Sequence, residues 1–154
     1  MLIKNQFARI VRVGKLTLAT LEATLKLFLD QSFALAEVPT LRMLRRDACE
    51  IAQQAKQLAS QLNSSTCDAE VTNTAGFSQM GSGSLPTQNL ATTLVAVRPE
   101  KISAESLAKR LRQNDTPIFA RIHDDRVLID PRTLLAGDDE TIVKAFSAIL
   151  GQTD

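Results

Sequence analysis

The sequence predicts an α+β fold in which a helical arm precedes a small sheet-and-helix domain. Apolar residues recur every three or four positions through the first 62 residues, which is the spacing of amphipathic helices. The second half reads strand, strand, helix, strand, strand, helix, an order that suggests a small sheet with helices on one face. With 154 residues, the chain is long enough to bury a core. We therefore predict an arm at 1–63 and an α+β domain at 64–154.

The arm is predicted to contain three helices. Gly14 separates a first helix at 2–13 from a second at 15–29, whose leucines indicate that it is covered on more than one side. The third, at 41–62, follows Thr40, a suitable cap, and Cys49 within it is predicted to be buried. The apolar stripe of this third helix comprises Leu44, Ala48, Ile51, Ala55, Leu58 and Leu62.

The domain is predicted to begin with two strands separated by a polar, glycine-containing stretch too irregular for a helix. A helix and a hairpin follow, the helix capped by Ser103 and the hairpin turned by His123-Asp124-Asp125, and a last helix is capped by Asp138. The predicted elements are, in order, a strand at 67–73, the irregular stretch at 74–89, a strand at 90–98, a helix at 104–113, strands at 117–122 and 126–130, and a helix at 139–150.

Composition excludes several classes of function. The net charge is +1, so the chain as a whole does not attract nucleic acid, although residues 1–46 carry eight basic and three acidic side chains. Six Phe without Trp or Tyr argue against a base-stacking module. Cys49 and Cys67 lack metal-ligand spacing, and His123 is the single histidine, which argues against a metal site. The cysteine usage and the absence of a signal peptide predict a cytoplasmic protein.

Arg9 and Arg12 are the first candidate binding residues. They lie three positions apart, which places both guanidinium groups on one face of the predicted helix. Two guanidinium groups on one face can chelate an oxyanion through charge-assisted hydrogen bonds. Salt bridges or simple solvation are the commoner explanation of such a pair, because surface arginines are frequent.

Three further candidates lie in the domain. The Gly81–Pro86 run, GSGSLP, has backbone N–H groups that can cradle a phosphate, or it is a flexible loop without the Gly-Lys-Ser/Thr of a P-loop. His123 beside Asp124 is an acid–base pair or simply good turn chemistry. Arg121, Arg126 and Arg132 lie on or near the hairpin, and an inward arginine there can bind a carboxylate or phosphate. We find no nucleophile–base arrangement.

Five segments, in order and over nearly all of residues 1–150, resemble the bacterial selenocysteine synthase family, the L-seryl-tRNA(Sec) selenium transferases. They are RIVRVGKLTLATLEATLKLFLD, VPTLRML, GSGSLP, VAVRPEKISAESLAKRLR and PIFARIHDDRVLIDPRTLL. The resemblance implies a fold-type-I pyridoxal-phosphate enzyme of which this chain is the C-terminal part. The family's Ser-Gly-Asp-Lys segment, whose lysine holds the cofactor, would precede Met1, so we expect the chain to be inactive alone.

The resemblance also implies substrates and site residues. Seryl-tRNA(Sec) would be converted to selenocysteinyl-tRNA(Sec) with selenophosphate as donor, in a ring-shaped homo-oligomer and without a membrane. Arg9 and Arg12 align with the pair that binds the donor's oxyanion, whereas Gly14 stands where the family usually has Asp. Arg121 would bind substrate by analogy with related cofactor enzymes. Two alternatives remain, namely another fold-type-I pyridoxal-phosphate transferase or lyase, and a non-catalytic interaction or oligomerisation module.

Overall fold

The computed structural model of the chain describes residue 7 and residues 12–66, 68–79 and 89–151. The chain divides into two compact units, Met1–Arg45 and Arg46–Asp154. We describe each unit by itself. The predicted division of the chain into an arm at 1–63 and a domain at 64–154 stays a prediction. None of the helices in the described residues is long and apolar enough to cross a membrane.

The first unit contains three helices, α1 (Lys15–Leu27), α2 (Gln31–Glu37) and α3 (Pro39–Arg45). The Asp30 side chain caps α2 by accepting a hydrogen bond from the Phe33 N–H at 3.0 Å. None of the residues of α1 is buried, so the prediction that this helix is covered on more than one side is wrong for this chain. The predicted helix at 2–13 lies almost entirely outside the described residues, and residues 12–14 are not helical.

The predicted single helix at 41–62 is wrong, because it is two helices that part at residues 46 and 47. Helix α4 (Ala48–Ser65) starts afresh where the Asp47 carboxylate accepts a hydrogen bond from the Cys49 N–H at 2.7 Å. The backbone N–H of Cys49 is also the main reason that the pKa of Asp47 lies below its usual 3.8. The prediction that Cys49 is buried is also wrong: its side chain is exposed. Cys49 lies two positions before the buried Ile51, so helix geometry directs its side chain away from the core.

The second unit contains a four-stranded antiparallel sheet with strand order β1-β2-β4-β3. Strands β1 (Ala69–Gln79) and β2 (Asn89–Pro99) pair along their full length, from Ala69 opposite Pro99 to Gln79 opposite Asn89. The prediction that the chain is irregular from residue 74 is therefore wrong up to Gln79. Pairing with a distant strand decides the conformation of this polar segment, and local sequence does not report that pairing.

Strands β3 (Arg121–His123) and β4 (Arg126–Ile129) form the predicted hairpin. Asp124 and Asp125 have φ angles of 49° and 57°, the left-handed values that a tight two-residue turn requires. Aspartate tolerates this conformation better than most residues, which explains why the turn forms at this point. The hairpin is confirmed, although its first strand is shorter than the predicted 117–122.

Helices α4, α5 (Ala104–Arg112) and α6 (Asp138–Leu150) pack together over one face of the sheet, which confirms the predicted one-sided arrangement. Ser103 caps α5 as predicted, accepting from the Ser106 N–H at 3.2 Å. Asp138 does not cap α6. The cap position is Gly137, whose φ of 90° suits only glycine well, and Asp138 instead accepts from the Leu135 N–H at 2.8 Å. The core is formed by Ile51, Leu58, Leu62, Val95, Val97, Leu107, Leu111, Val127, Ile142 and Phe146.

A buried polar cluster lies at the end of the sheet where β4 stops. The Asp130 carboxylate accepts hydrogen bonds from Ser78 Oγ at 2.6 Å and from Thr92 Oγ1 at 2.9 Å. It also accepts from the Arg132 N–H at 3.1 Å, at the start of the 3₁₀ turn Pro131–Thr133. One carboxylate therefore connects β1, β2 and the segment after β4.

Arg132 is the charged centre of this cluster and only 5% exposed. Its guanidinium donates to Ser78 Oγ at 3.0 Å, to the Ala91 carbonyl at 2.8 Å and to the Arg46 carbonyl at 3.2 Å. Arg46 in turn donates to the Pro131 carbonyl and to Gln54 Oε1. The cluster thus connects the sheet to the segment that leads into α4, through several charge-assisted hydrogen bonds.

Replacing Arg132 tests whether this cluster holds the unit together. We expect Arg132→Met to lower the free energy of unfolding by about 3–5 kcal/mol, because it leaves Ser78 Oγ and the carbonyls of Ala91 and Arg46 without the guanidinium that donates to them. Urea unfolding followed by circular dichroism measures the change. Arg112→Met removes an exposed guanidinium from α5 and should cost less than about 1 kcal/mol. An Arg132→Met variant as stable as the Arg112→Met control would show that the cluster contributes nothing.

Candidate anion-binding groove

The face of the sheet that the three helices leave open carries a groove of about 600 Å³. Strand alternation directs Val95 and Val97 of β2 toward the helices and Leu94 and Ala96 toward this open face. Leu128 of β4 stands opposite Ala96 and completes an apolar floor. The groove has the size of a small-ligand site, which is about 300–1,000 Å³.

Gly76 of β1 lies against this floor. A Cβ atom at Gly76 would come 2.6 Å from Cδ1 of Leu94, closer than side chains normally approach. Any side chain at position 76 would therefore collide with Leu94 unless Leu94 moved. Phe77, the next residue, borders the groove, but its register opposite Ala91 directs its side chain, 56% exposed, to the other face of the sheet.

Basic side chains line the side of the groove formed by the hairpin. Arg121 stands opposite Leu128, and His123 stands opposite Arg126, so all three basic residues share the open face with the floor. Among the described residues, no ion pair or hydrogen bond involves the side chain of Arg121 or of Arg126. Two neighbouring guanidinium groups without carboxylate partners form a favourable position for an anion.

His123 and Asp124 do not form a distinctive acid–base pair. Their closest atoms, Nε2 and Oδ2, lie 3.4 Å apart, and the two side chains are 75% and 82% exposed. An exposed pair at that distance is strongly screened by water. The geometry is that of a turn, and within the described residues no group of His, Cys, Asp and Glu is arranged to hold a metal ion.

The predicted site residues fall in different places. Arg9 and the Gly81–Pro86 run lie outside the described residues. Arg12 is exposed and belongs to the first unit, in the non-helical residues 12–14, whereas Arg121 belongs to the second unit and lines the groove. The oxyanion role of Arg9 and Arg12 and the substrate role of Arg121 stay predictions.

Arg126 is the groove residue whose role the sequence reasoning missed. The signal was present, because a two-residue turn at Asp124 and Asp125 makes His123 and Arg126 cross-strand partners on one face. Arg132, grouped with Arg121 and Arg126 in the sequence, is instead the buried centre of the polar cluster. Its burial follows from contacts with β1, β2 and Arg46, all distant in sequence.

The described residues offer no lysine suited to hold pyridoxal phosphate. Every lysine in the described part of the chain is exposed, and none lines the groove. A cofactor lysine is normally held in a partly desolvated site that lowers its pKa. The cofactor therefore does not fit the residues described, and we derive no step through it.

A family model and individual known proteins both match this chain, and the two comparisons agree. The family model described as L-seryl-tRNA selenium transferase matches residues 1–135. The L-seryl-tRNA(Sec) selenium transferases of Alkaliphilus oremlandii and Geobacter metallireducens are each 42% identical to 96% of this chain, and that of Desulfovibrio desulfuricans is 40% identical to 96% of it. The chain spans 32% of the length of each of these relatives. It belongs to the L-seryl-tRNA selenium transferase family.

Proposed function

We propose that this chain is the C-terminal part of an enzyme that converts seryl-tRNA(Sec) to selenocysteinyl-tRNA(Sec), with pyridoxal phosphate as cofactor and selenophosphate as donor. The observation that carries the proposal is the family match over residues 1–135, in a chain whose curated relatives bear that activity in their names. Because the chain spans 32% of those relatives, the activity is that of the whole enzyme. The chain alone is inactive.

The architecture supports a small-domain role in a fold-type-I enzyme. An antiparallel sheet with helices on one face leaves the other face open, and in this chain that open face carries the basic groove. A domain of this kind closes a site built mainly by another domain. In that arrangement this chain's own residues bind and orient anionic groups. We place the enzyme in the cytoplasm.

In this proposal Arg9 and Arg12 hold the oxyanion of the selenium donor. Each guanidinium presents several fixed N–H donors that match a phosphate-type oxyanion in geometry and charge. Arg12 is exposed, so its guanidinium is accessible to a ligand brought by the rest of the enzyme. Arg121 orients the serine-bearing substrate from the second unit.

A chimeric enzyme tests the proposed activity. The matched third of the Alkaliphilus oremlandii relative is replaced by this chain, and selenium transfer to seryl-tRNA(Sec) is measured with selenophosphate as donor. We expect transfer within about tenfold of the unaltered relative, because the exchanged segments share their fold. Cofactor absorbance and circular dichroism verify that the chimera folds. A folded, cofactor-loaded chimera without transfer would favour another pyridoxal-phosphate transferase or lyase.

Substitutions in that chimera test the donor site. We expect Arg9→Ala and Arg12→Ala each to reduce selenium transfer at least about 100-fold, since each removes a charge-assisted contact to the donor, while cofactor loading is unchanged. Arg45→Ala, which also removes an exposed guanidinium of the first unit, is the matched control and should transfer normally. Normal transfer by both test variants would exclude the oxyanion role.

A second candidate function is assembly of copies of this chain through α1. Its side chains Leu18, Leu21 and Leu25, with Leu29 beyond its end, line a shallow apolar depression of about 310 Å³. All four leucines are more than half exposed, an unusual concentration for one short helix face. Burial against a second copy recovers about 25 cal/mol for each Å² of apolar surface removed from water. This surface also suits the homo-oligomer that the family implies.

Sedimentation of the 154-residue chain tests this assembly. We expect the wild-type chain to be oligomeric at micromolar concentration, and Leu21→Glu with Leu25→Glu to shift it to monomer, because carboxylates in an apolar contact are desolvated without a partner. Glu22→Gln with Lys26→Gln alters the exposed ion pair beside them and is the control. A monomeric wild-type chain would rule out assembly through α1 alone.

A further inference from the structure

We propose that the groove on the open face of the sheet binds the phosphodiester backbone of the single-stranded 3′ end of a tRNA. The inference rests on the proposed function, in which a charged tRNA must deliver its terminal amino acid to the active site. It adds to that function a site for one part of the tRNA, and it adds His123 and Arg126 beside Arg121 as the residues that line it. The proposal is argued from charge, from register and from the shape of the groove.

The arrangement of basic side chains in the groove favours the binding of an external anion. Cross-strand neighbours have Cβ atoms about 4.5–5.5 Å apart, so His123 and Arg126 place two basic groups side by side, with Arg121 on the same face. Arg121 and Arg126 are diagonal neighbours of like charge, and among the described residues no carboxylate pairs with either side chain, although Asp124 lines the same groove. A phosphodiester between the arginines turns this repulsion into attraction.

The floor of the groove favours a nucleotide over a small inorganic anion. Leu94 and Ala96, which are 5% and 1% exposed, form with Leu128 an apolar floor beside the basic rim. A ribose and the face of a base cover such a surface while their phosphate reaches the arginines. Single-stranded ends are recognised in this manner because their bases are unstacked and available.

The same shape excludes other nucleic-acid structures. A groove of about 600 Å³ accommodates an unstacked nucleotide but is too small for a duplex. Among the described lining residues, His123 has the one aromatic ring that the register directs into the groove, so base stacking contributes little, phosphate contacts dominate and binding depends weakly on sequence. This agrees with a chain whose scarce aromatic residues argue against a base-reading module.

The binding test uses the whole 154-residue chain and a fluorescein-labelled single-stranded RNA octamer that ends in CCA. Fluorescence anisotropy measures affinity over a range of salt concentrations. We expect Arg121→Gln with Arg126→Gln to weaken binding at least about tenfold, because two charge-assisted contacts are lost. The slope of log affinity against log salt should fall by about 1.4, at about 0.7 for each phosphate of a single strand.

A matched double variant controls for general loss of charge. Arg110→Gln with Arg112→Gln removes two exposed guanidinium groups from α5, on the helix-covered side of the sheet, and should change affinity less than twofold. If the test variant unfolds, Arg121→Lys with Arg126→Lys keeps the charge and should weaken binding while leaving the salt slope unchanged. Equal losses in the two glutamine variants, or equal binding of a blunt RNA duplex, would overturn the groove assignment.

Selenium transfer separates this inference from the proposed function. In the chimera, Arg121→Gln with Arg126→Gln should raise the KM for seryl-tRNA(Sec) about tenfold, with cofactor loading unchanged. An active chimera whose KM does not move would overturn the groove as a substrate site while the proposed function stands. An inactive chimera, alongside a chain that still binds the CCA octamer through Arg121 and Arg126, would contradict the proposed function and support the groove.

Discussion

The central strand β2 is the element on which the second unit depends. It pairs with β1 along its whole length and with β4 at Val95–Val97, so both neighbours take their register from it. Val95 and Val97 are fully buried under the helices, while Leu94 and Ala96 form the floor of the groove on the other face. A slip of one residue would exchange the two sets, placing core residues in the groove and groove residues in the core. The core and the candidate site therefore share one constraint.

The buried cluster around Asp130 and Arg132 fixes that register at one end of the sheet. Ser78 of β1 and Thr92 of β2 both donate to the Asp130 carboxylate, and those bonds form only when the two strands are correctly paired. A buried charge without its partners is strongly unfavourable. A sheet in the wrong register therefore loses the hydrogen bonds of this cluster in addition to apolar contacts. Polar residues thereby specify a pairing that apolar packing alone leaves less sharply defined.

Local patterns predicted the elements, and long-range contacts decided the rest. The stripe of Ile51, Ala55, Leu58 and Leu62 and the cap at Ser103 depend on neighbours within a turn, and the structure confirms both. The break at Asp47 was missed because no Gly or Pro marks it; a carboxylate that caps the following helix ends the periodic pattern instead. The extension of β1 to Gln79 depends on pairing with β2, which leaves no mark in the polar residues themselves.

The candidate site shows the same limit. Analogy with related cofactor enzymes suggested Arg121, but its grouping with Arg126 and His123 required the register, and the apolar floor required β2 and β4 to be adjacent. Arg9 and Arg12 depended on the family resemblance. Their spacing on a helix would place them together, yet Arg12 lies in a non-helical segment and Arg9 lies outside the described residues, so the pair remains a prediction.

The leucine surface of α1 and the basic groove differ in physical character, so they favour different kinds of partner. The leucines of α1 gain free energy from any apolar surface that excludes water, an effect that sulfate and phosphate salts strengthen. The arginines of the groove gain from a polyanion, an effect that every added salt weakens through screening and counterion competition. Protein assembly and RNA binding by one chain therefore respond to salt in opposite directions. Association that grows stronger in sulfate belongs to α1, and binding that vanishes there belongs to the groove.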